Sequence, residues 1–225
     1  MAKFFIAIIA TALFLLAPTA QAATGGETSG FSALNAVVIP KPEAIPEASK
    51  ADAAYNIGVK YYNGSNGYIE EAVKWFRNAA DLGSTKAQYR LGAAYERGEG
   101  TKKDYKEALK WYGLAAKQDD KNAQCGLGGL YANGNGVKRD PAEAAKWYKL
   151  SAPRDVDRAQ YGLGLLYLAG HGVKQDYYEA YFWLALAART IDIAMEKRDE
   201  AATHLNDEQL KSARQRLKDW KPAPE

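Results

Sequence analysis

From about residue 51 to residue 190, apolar positions recur with the period of a helix rather than that of a strand. Ala87, Leu91 and Tyr95 fall four residues apart on one stripe, and Ala108, Trp111, Tyr112 and Ala115 make a second. Between them stands Gly98-Glu99-Gly100, where glycine admits the positive φ that follows a helix end. Asp104-Tyr105-Lys106-Glu107 then marks a helix start. Its aspartate accepts from an orphan backbone N–H, and its glutamate reaches back to complete a capping box. The pattern predicts a helix, a glycine-punctuated turn and a second helix.

The unit repeats. Trp75, Trp111, Trp147 and Trp183 are each 36 residues apart. Ile57-Gly58, Leu91-Gly92, Leu127-Gly128 and Leu163-Gly164 precede them, and three residues after each glycine comes Tyr61, Tyr95, Tyr131 or Tyr167. Ala72, Ala108, Ala144 and Ala180 stand three residues before each tryptophan. The turn recurs as Gly98/Gly100, Gly134/Gly136 and Gly170/Gly172, followed by Asp104, Asp140 or Asp176. A phosphate-cradling loop would leave its helix N–H groups free for the anion, whereas these aspartates occupy them, so the Gly-x-Gly is read as punctuation. Four helix pairs follow, at about 51–83, 84–119, 120–155 and 156–190. One pair cannot bury its apolar stripe alone, so each must lean on its neighbours.

The pattern A-x-x-x-L-G-x-x-Y-x-x-G-x-G-V-x-x-D-x-x-x-A-x-x-W resembles the Sel1-like repeat, a longer relative of the tetratricopeptide repeat. Ala123 to Trp147 and Ala159 to Trp183 match closely, and Ala87 to Trp111 has Thr101 in place of valine. The first copy, 53 to 83, is the weakest: its loop is two residues short and Tyr68 stands where the aspartate should be. The resemblance implies an all-α fold, a right-handed α-solenoid of helix-pair repeats closed by a C-terminal capping helix. It also implies an inner face lined by the first helices, as in tetratricopeptide arrays.

The two ends differ from the repeats. Lys3, the apolar run Phe4 to Ala17 and the small residues up to Ala22 read as a cleavable signal peptide over 1–22, too short to span a bilayer. The chain is thus expected to be exported, periplasmic or secreted, in a Gram-negative bacterium, with no membrane span after cleavage. Residues 23–48, with Gly25-Gly26 and Pro40, Pro42 and Pro46, read as a flexible linker. Residues 191–220 read as capping helices, helix continuing over 190–204 and a last helix at about 207–219 starting from Asn206-Asp207-Glu208-Gln209. That helix is expected to turn Leu210, Ala213, Leu217 and Trp220 inward and Lys211, Arg214, Arg216 and Lys218 outward.

Charge and chemistry narrow the function. Loss of Lys3 with the leader lowers the formal charge from +3 to +2, without the basic stripe of a nucleic-acid binder. Cys125, the only cysteine, can form no internal disulfide. It falls where the other units carry Tyr55, Tyr89 and Tyr161, and reads as a free, buried thiol. His171 and His204 are the only histidines and neither has a partner at metal spacing, so neither metal nor cofactor is expected. Some cysteine-rich Sel1-like proteins have been described as binding or slowly hydrolysing β-lactams. This chain resembles them in the repeat but lacks their paired cysteines and has no Ser-x-x-Lys motif. No catalytic residue is assigned, and a β-lactam- or peptidoglycan-fragment-binding enzyme stays as the alternative.

Positions taken from the related arrays, counted from the Leu-Gly pair, give a candidate partner-binding face. Tyr55 and Tyr62 come from the first unit; Lys86, Tyr89, Glu96 and Arg97 from the second; Asn122 and Asn133 from the third; Arg158 and Tyr161 from the fourth. Asp52, Val59, Asn63, Ala93, Cys125, Gly129, Ala132, Leu165, Leu168 and Ala169 complete the same positions. These vary between units while the frame does not. Tyrosine and arginine are favoured interface anchors, so the expected partner is a protein or peptide of the cell envelope, and the expected role a scaffold or adaptor in envelope signalling.

Overall fold

The computed structural model describes residues 47–63 and 68–224, which belong to one packed unit. The signal peptide and nearly all of the 23–48 linker lie outside the described residues. Helix α1 (Glu47–Asn63) begins two residues inside the linker as read from sequence. Then follow α2 (Ile69–Asp81), α3 (Thr85–Arg97), α4 (Tyr105–Lys117), α5 (Lys121–Asn133) and α6 (Pro141–Ser151). A short 3-10 turn, Ala152–Arg154, leads to α7 (Asp157–Ala169) and α8 (Tyr177–Ala187), and α9 (Ile193–Ala202) and α10 (Asp207–Asp219) close the chain. No strand occurs among the described residues. Successive helices pack as pairs and the pairs stack, so the fold is an all-α solenoid.

The punctuation works as read. Gly134 ends α5 in the left-handed region at φ 74°, and its N–H reaches the Leu130 carbonyl. The loop is then clamped by a bond repeated in three units: the N–H groups of Asp104, Asp140 and Asp176 donate to the carbonyls of Tyr95, Tyr131 and Tyr167 at 2.9–3.1 Å. Each of these aspartates caps the second helix of its unit, whereas Tyr68 at the head of α2 makes no side-chain cap bond.

The capping boxes expected on the second helices do not form. Glu107 and Glu179 instead accept the indole Nε1–H of Trp111 and Trp183, one turn on, at 2.9 and 3.0 Å. The N-cap N–H groups of Asp104 and Asp176 are already taken by the Tyr95 and Tyr167 carbonyls, and the buried indole N–H would otherwise go unpaired at a cost. In α6 the corresponding Glu143 is held at 2.7 Å by Lys146, and the Trp147 Nε1 is buried without a partner. The one capping box among the described residues is Asn206/Gln209 on α10.

In the first three units the deepest ring is not the tryptophan but the residue after it, Phe76, Tyr112 or Tyr148, a place that Leu184 takes in the fourth. A Cβ built on Gly58, Gly92, Gly128 or Gly164 would lie 2.5–2.7 Å from Phe76, Tyr112, Tyr148 or Leu184. Tyr112 and Tyr148 are also bounded from the next unit, where Gly126 and Gly162 stand 2.7 and 2.6 Å, by the same measure, from their far edges. Tyr112 and Tyr148 therefore each join two repeats. A second tie is polar: buried Gln88 and Gln160 donate to the carbonyls of Ala80 and Ala152, at the end of the preceding second helix, at 3.3 and 3.2 Å.

The chain end departs from the expected run of helix over 190–204. α8 stops at Ala187, a turn intervenes, and α9 starts at Ile193. α9 packs on α8 and touches α7, as the first helix of a further unit would, and α10 lies along α8. Leu210, Ala213, Leu217 and Trp220 face inward. Arg216, expected outward, turns in: its guanidinium sits 3.7 Å from the Phe182 ring centroid and pairs with Glu179 at 2.6 Å. No described helix is long and apolar enough to cross a membrane.

Candidate functional site

The first helices touch from unit to unit, α3 on α5 and α5 on α7, more closely than the second helices do. They therefore line the inside of the stack's bend. A solvent-open cavity of about 490 Å³ lies on this side, at the heads of α3 and α5. Tyr55 closes one end; Lys86, Tyr89 and Arg90 rise from α3, and Asn122 from the first turn of α5. The floor is the loop Gln118-Asp119-Asp120, tied by Arg154, which donates to the Asp119 carbonyl and carboxylate at 2.8 and 3.0 Å. Asp120 caps α5 by accepting from the Ala123 N–H at 2.7 Å.

The tyrosines of this face serve both core and groove. Tyr55 leans on Phe76 with centroids 5.8 Å apart, and Tyr89 stacks on Tyr112 at 6.0 Å. Tyr112 threads between α3 and α5 and donates from its hydroxyl to Glu96 Oε2 at 2.7 Å. Burial first, and then the Glu96 charge, raises the Tyr112 pKa far above that of an ordinary phenol, so it stays a neutral donor. Tyr62 donates to Glu99 at 3.4 Å beneath the Arg90 guanidinium, and Arg97 pairs with Glu99 at 3.6 Å.

Of the residues read from sequence, Tyr55, Lys86, Tyr89 and Asn122 line one cavity, with Tyr62 linked to it through Arg90. Glu96, Arg97 and Arg158 stand around Tyr89 and Tyr112, whose hydroxyls feel their charges. Tyr161 instead packs against the terminal cluster of α7 to α10. Asn133 is exposed at the end of α5 and does not line the cavity. Ala93, Cys125 and Leu168, placed on the inner surface by position, are buried beneath it. Arg90, Arg154 and Asp119 were missed. Arg90 is one residue past the counted position, and Arg154 and Asp119 sit in connections where the repeat frame gives no register.

Cys125 is 4% exposed, and burial pushes its thiol up to about 11, with Arg158 only partly opposing the shift. At pH 8 the thiolate fraction is then about one in a thousand, and the native thiol is inert. An aromatic disulfide reagent at pH 8 is expected to leave it unreacted over minutes and to label it fully in denaturant; rapid native labelling would contradict this burial. His204 stacks on Tyr177 at 4.0 Å, and among the described residues no three metal-ligating side chains gather.

The sequence matches the Sel1 repeat over residues 51–84, 85–120, 121–152 and 157–189. Among solved structures, the chain is similar to a protective antigen of uropathogenic Escherichia coli displaying an SLR fold. It is 30% identical to it with a TM-score of 0.69, over 77% of this chain and 38% of the antigen. It is also 31% identical, with a TM-score of 0.56, to a Sel1 repeat protein from Oxalobacter formigenes, over 75% of this chain and 80% of that one. The chain thus spans well under half of the antigen's length. No curated protein matches it in sequence.

Proposed function

The chain belongs to the Sel1-repeat family, and from that premise we propose that it is an exported interaction scaffold without chemistry of its own. Its groove of first helices holds a peptide or the flank of an envelope protein, and in doing so it acts as an adaptor in envelope signalling. The observation that carries this reading is the cavity at the heads of α3 and α5: open to solvent, floored by the tied 118–120 loop, and rimmed by Tyr55, Tyr89 and exposed cations. Half-buried tyrosines are anchors that lose little entropy on binding, because their rings are already held by Phe76 and Tyr112. The leader read over residues 1–22 supports an address in the periplasm or outside the cell.

Crosslinking in the native envelope, with mass-spectrometric identification of what is captured, tests this. One specific partner is expected, and Tyr89→Ala/Arg97→Ala should reduce its capture at least about tenfold, as loss of interface anchors does. Equal capture by the double variant would remove the groove from the reading. Nitrocefin hydrolysis above a heat-killed control would replace the scaffold with an enzyme.

A further inference from the structure

We propose that the segment held in this groove is acidic, an extended stretch of a partner protein whose carboxylates meet Arg90, Arg97 and Arg158. The inference rests on the scaffold reading and names the chemistry of its partner.

All three arginines are exposed, and they come from two helices, α3 and α7, that flank α5. Arg90 lines the cavity beside Tyr89, and Arg97, Arg158 and Arg90 all act on the Tyr89 hydroxyl, opposing the upward push that burial, and to a lesser degree Asp120, gives its pKa. Lys86, exposed in the cavity, adds to the same side.

The acids among them are already engaged. Glu96 accepts from Tyr112, Asp120 caps α5, and Asp119 is held by Arg154 and, at 2.9 Å, by Gln124. Glu99 is shared by Tyr62 and Arg97. Arg90 lies over the Tyr62 ring, 5.5 Å from its centroid, with its guanidinium exposed to the groove. At Arg158 partial burial works against the charge, and the carboxylate of Glu96 supports it. The groove therefore offers a surplus of directed N–H donors to a ligand that brings its own carboxylates, and guanidinium groups bind carboxylates in charge-assisted pairs.

The helices that carry these cations stack side by side, α3 on α5 and α5 on α7, so a segment laid across α5 meets both α3 and α7. Nucleic acid fits less well. Its flexible phosphodiester charges sit on a chain with no backbone N–H groups to meet the groove's carboxylates, Glu96, Glu99 and Asp120, whereas an extended peptide presents such donors beside its side-chain carboxylates.

Fluorescence anisotropy with labelled octaglutamate, octaserine and octathymidylate, titrated with the full chain, tests this. Octaglutamate is expected to bind, octaserine not, and binding should weaken as salt rises. Arg90→Gln/Arg158→Gln should weaken it at least about tenfold with the melting temperature unchanged, since both side chains are exposed. Lys74→Gln/Lys146→Gln removes two cations, 69% and 72% exposed, from the second helices and should change affinity less than about twofold. Equal binding by the arginine variant, no preference for glutamate over serine, or tighter binding of octathymidylate would each overturn the proposal. If an envelope protein is captured through Tyr89 while octaglutamate does not bind, the acidic partner falls and the scaffold stands. If octaglutamate binds through the arginines and no protein is captured, the scaffold reading falls instead.

Discussion

Replacing Gly128 with leucine is expected to lower the melting temperature by about 10 °C or more, and replacing it with alanine by several degrees. In an open helix alanine would stabilise by about 1 kcal/mol over glycine. Here even its methyl would stand 2.5–2.6 Å from the Tyr148 ring. That ring cannot retreat, because Gly162 of the next repeat closes its other side. Overpacking of this kind costs about 1–3 kcal/mol, and leucine exceeds that range because the rest of its side chain has nowhere to go. At 2–4 °C per kcal/mol for a chain of this size, the shift is large. Gly113, mid-helix in α4 with nothing within 4 Å of a built Cβ, supplies the opposite sign: Gly113→Ala should raise the melting temperature. If Gly128→Ala raises it too, the ring is not the joint between repeats.

This joint shows which parts of the structure could be read from sequence. Helix pairs, turns and aspartate caps were legible because each is set by residues within four or five positions of one another. The Leu-Gly frame was legible too, but the ring that fills the glycine's notch was not. Tyr112 and Trp111 are neighbours on the same stripe, and only the approach of α3 and α5 decides which enters the gap. Gly126 and Gly162 carried the missing signal: they stand two residues before Gly128 and Gly164, in the two units that follow a tyrosine ring, where the second unit, following Phe76, has Arg90. The glutamates of the second helices were read as capping partners because spacing fits both a cap and an indole one turn on; burial of the indole chose between them. In the groove, Tyr89 and Lys86 follow from counting along the repeat. Arg154 does not, since it reaches the cavity from a 3-10 turn that belongs to no repeated position.

Ending the chain at Leu205 should convert a well-behaved protein into one that self-associates, with a melting temperature lower by ~10–20 °C. α8 is the reason. Tyr181, Phe182, Trp183, Leu184 and Leu186 are all buried although they point in every direction around an eleven-residue helix. A helix apolar on all sides must be covered on all sides. α7 and α9 cover part of it, and α10 covers the remainder. Fully buried Ala213 packs with the terminal cluster, Leu217 and Trp220 pack with the cluster that holds Phe182, Trp183 and Leu186, and the Ala223 N–H ties the tail to the Pro153 carbonyl at 2.7 Å. Burial of these side chains and of the surface beneath them contributes on the order of 5 kcal/mol. The exposed Leu150, in register with Leu186 two helices earlier, is 52% accessible because no such helix lies over α6. Size-exclusion chromatography and thermal melting check the prediction. Arg216→Ala is the finer probe, removing the Glu179 pair and the contact with Phe182 while keeping the helix; it should cost about 1–2 kcal/mol, less than the truncation. A truncated chain that stays monomeric with an unshifted melting curve would mean that α10 decorates the last repeat rather than sealing it.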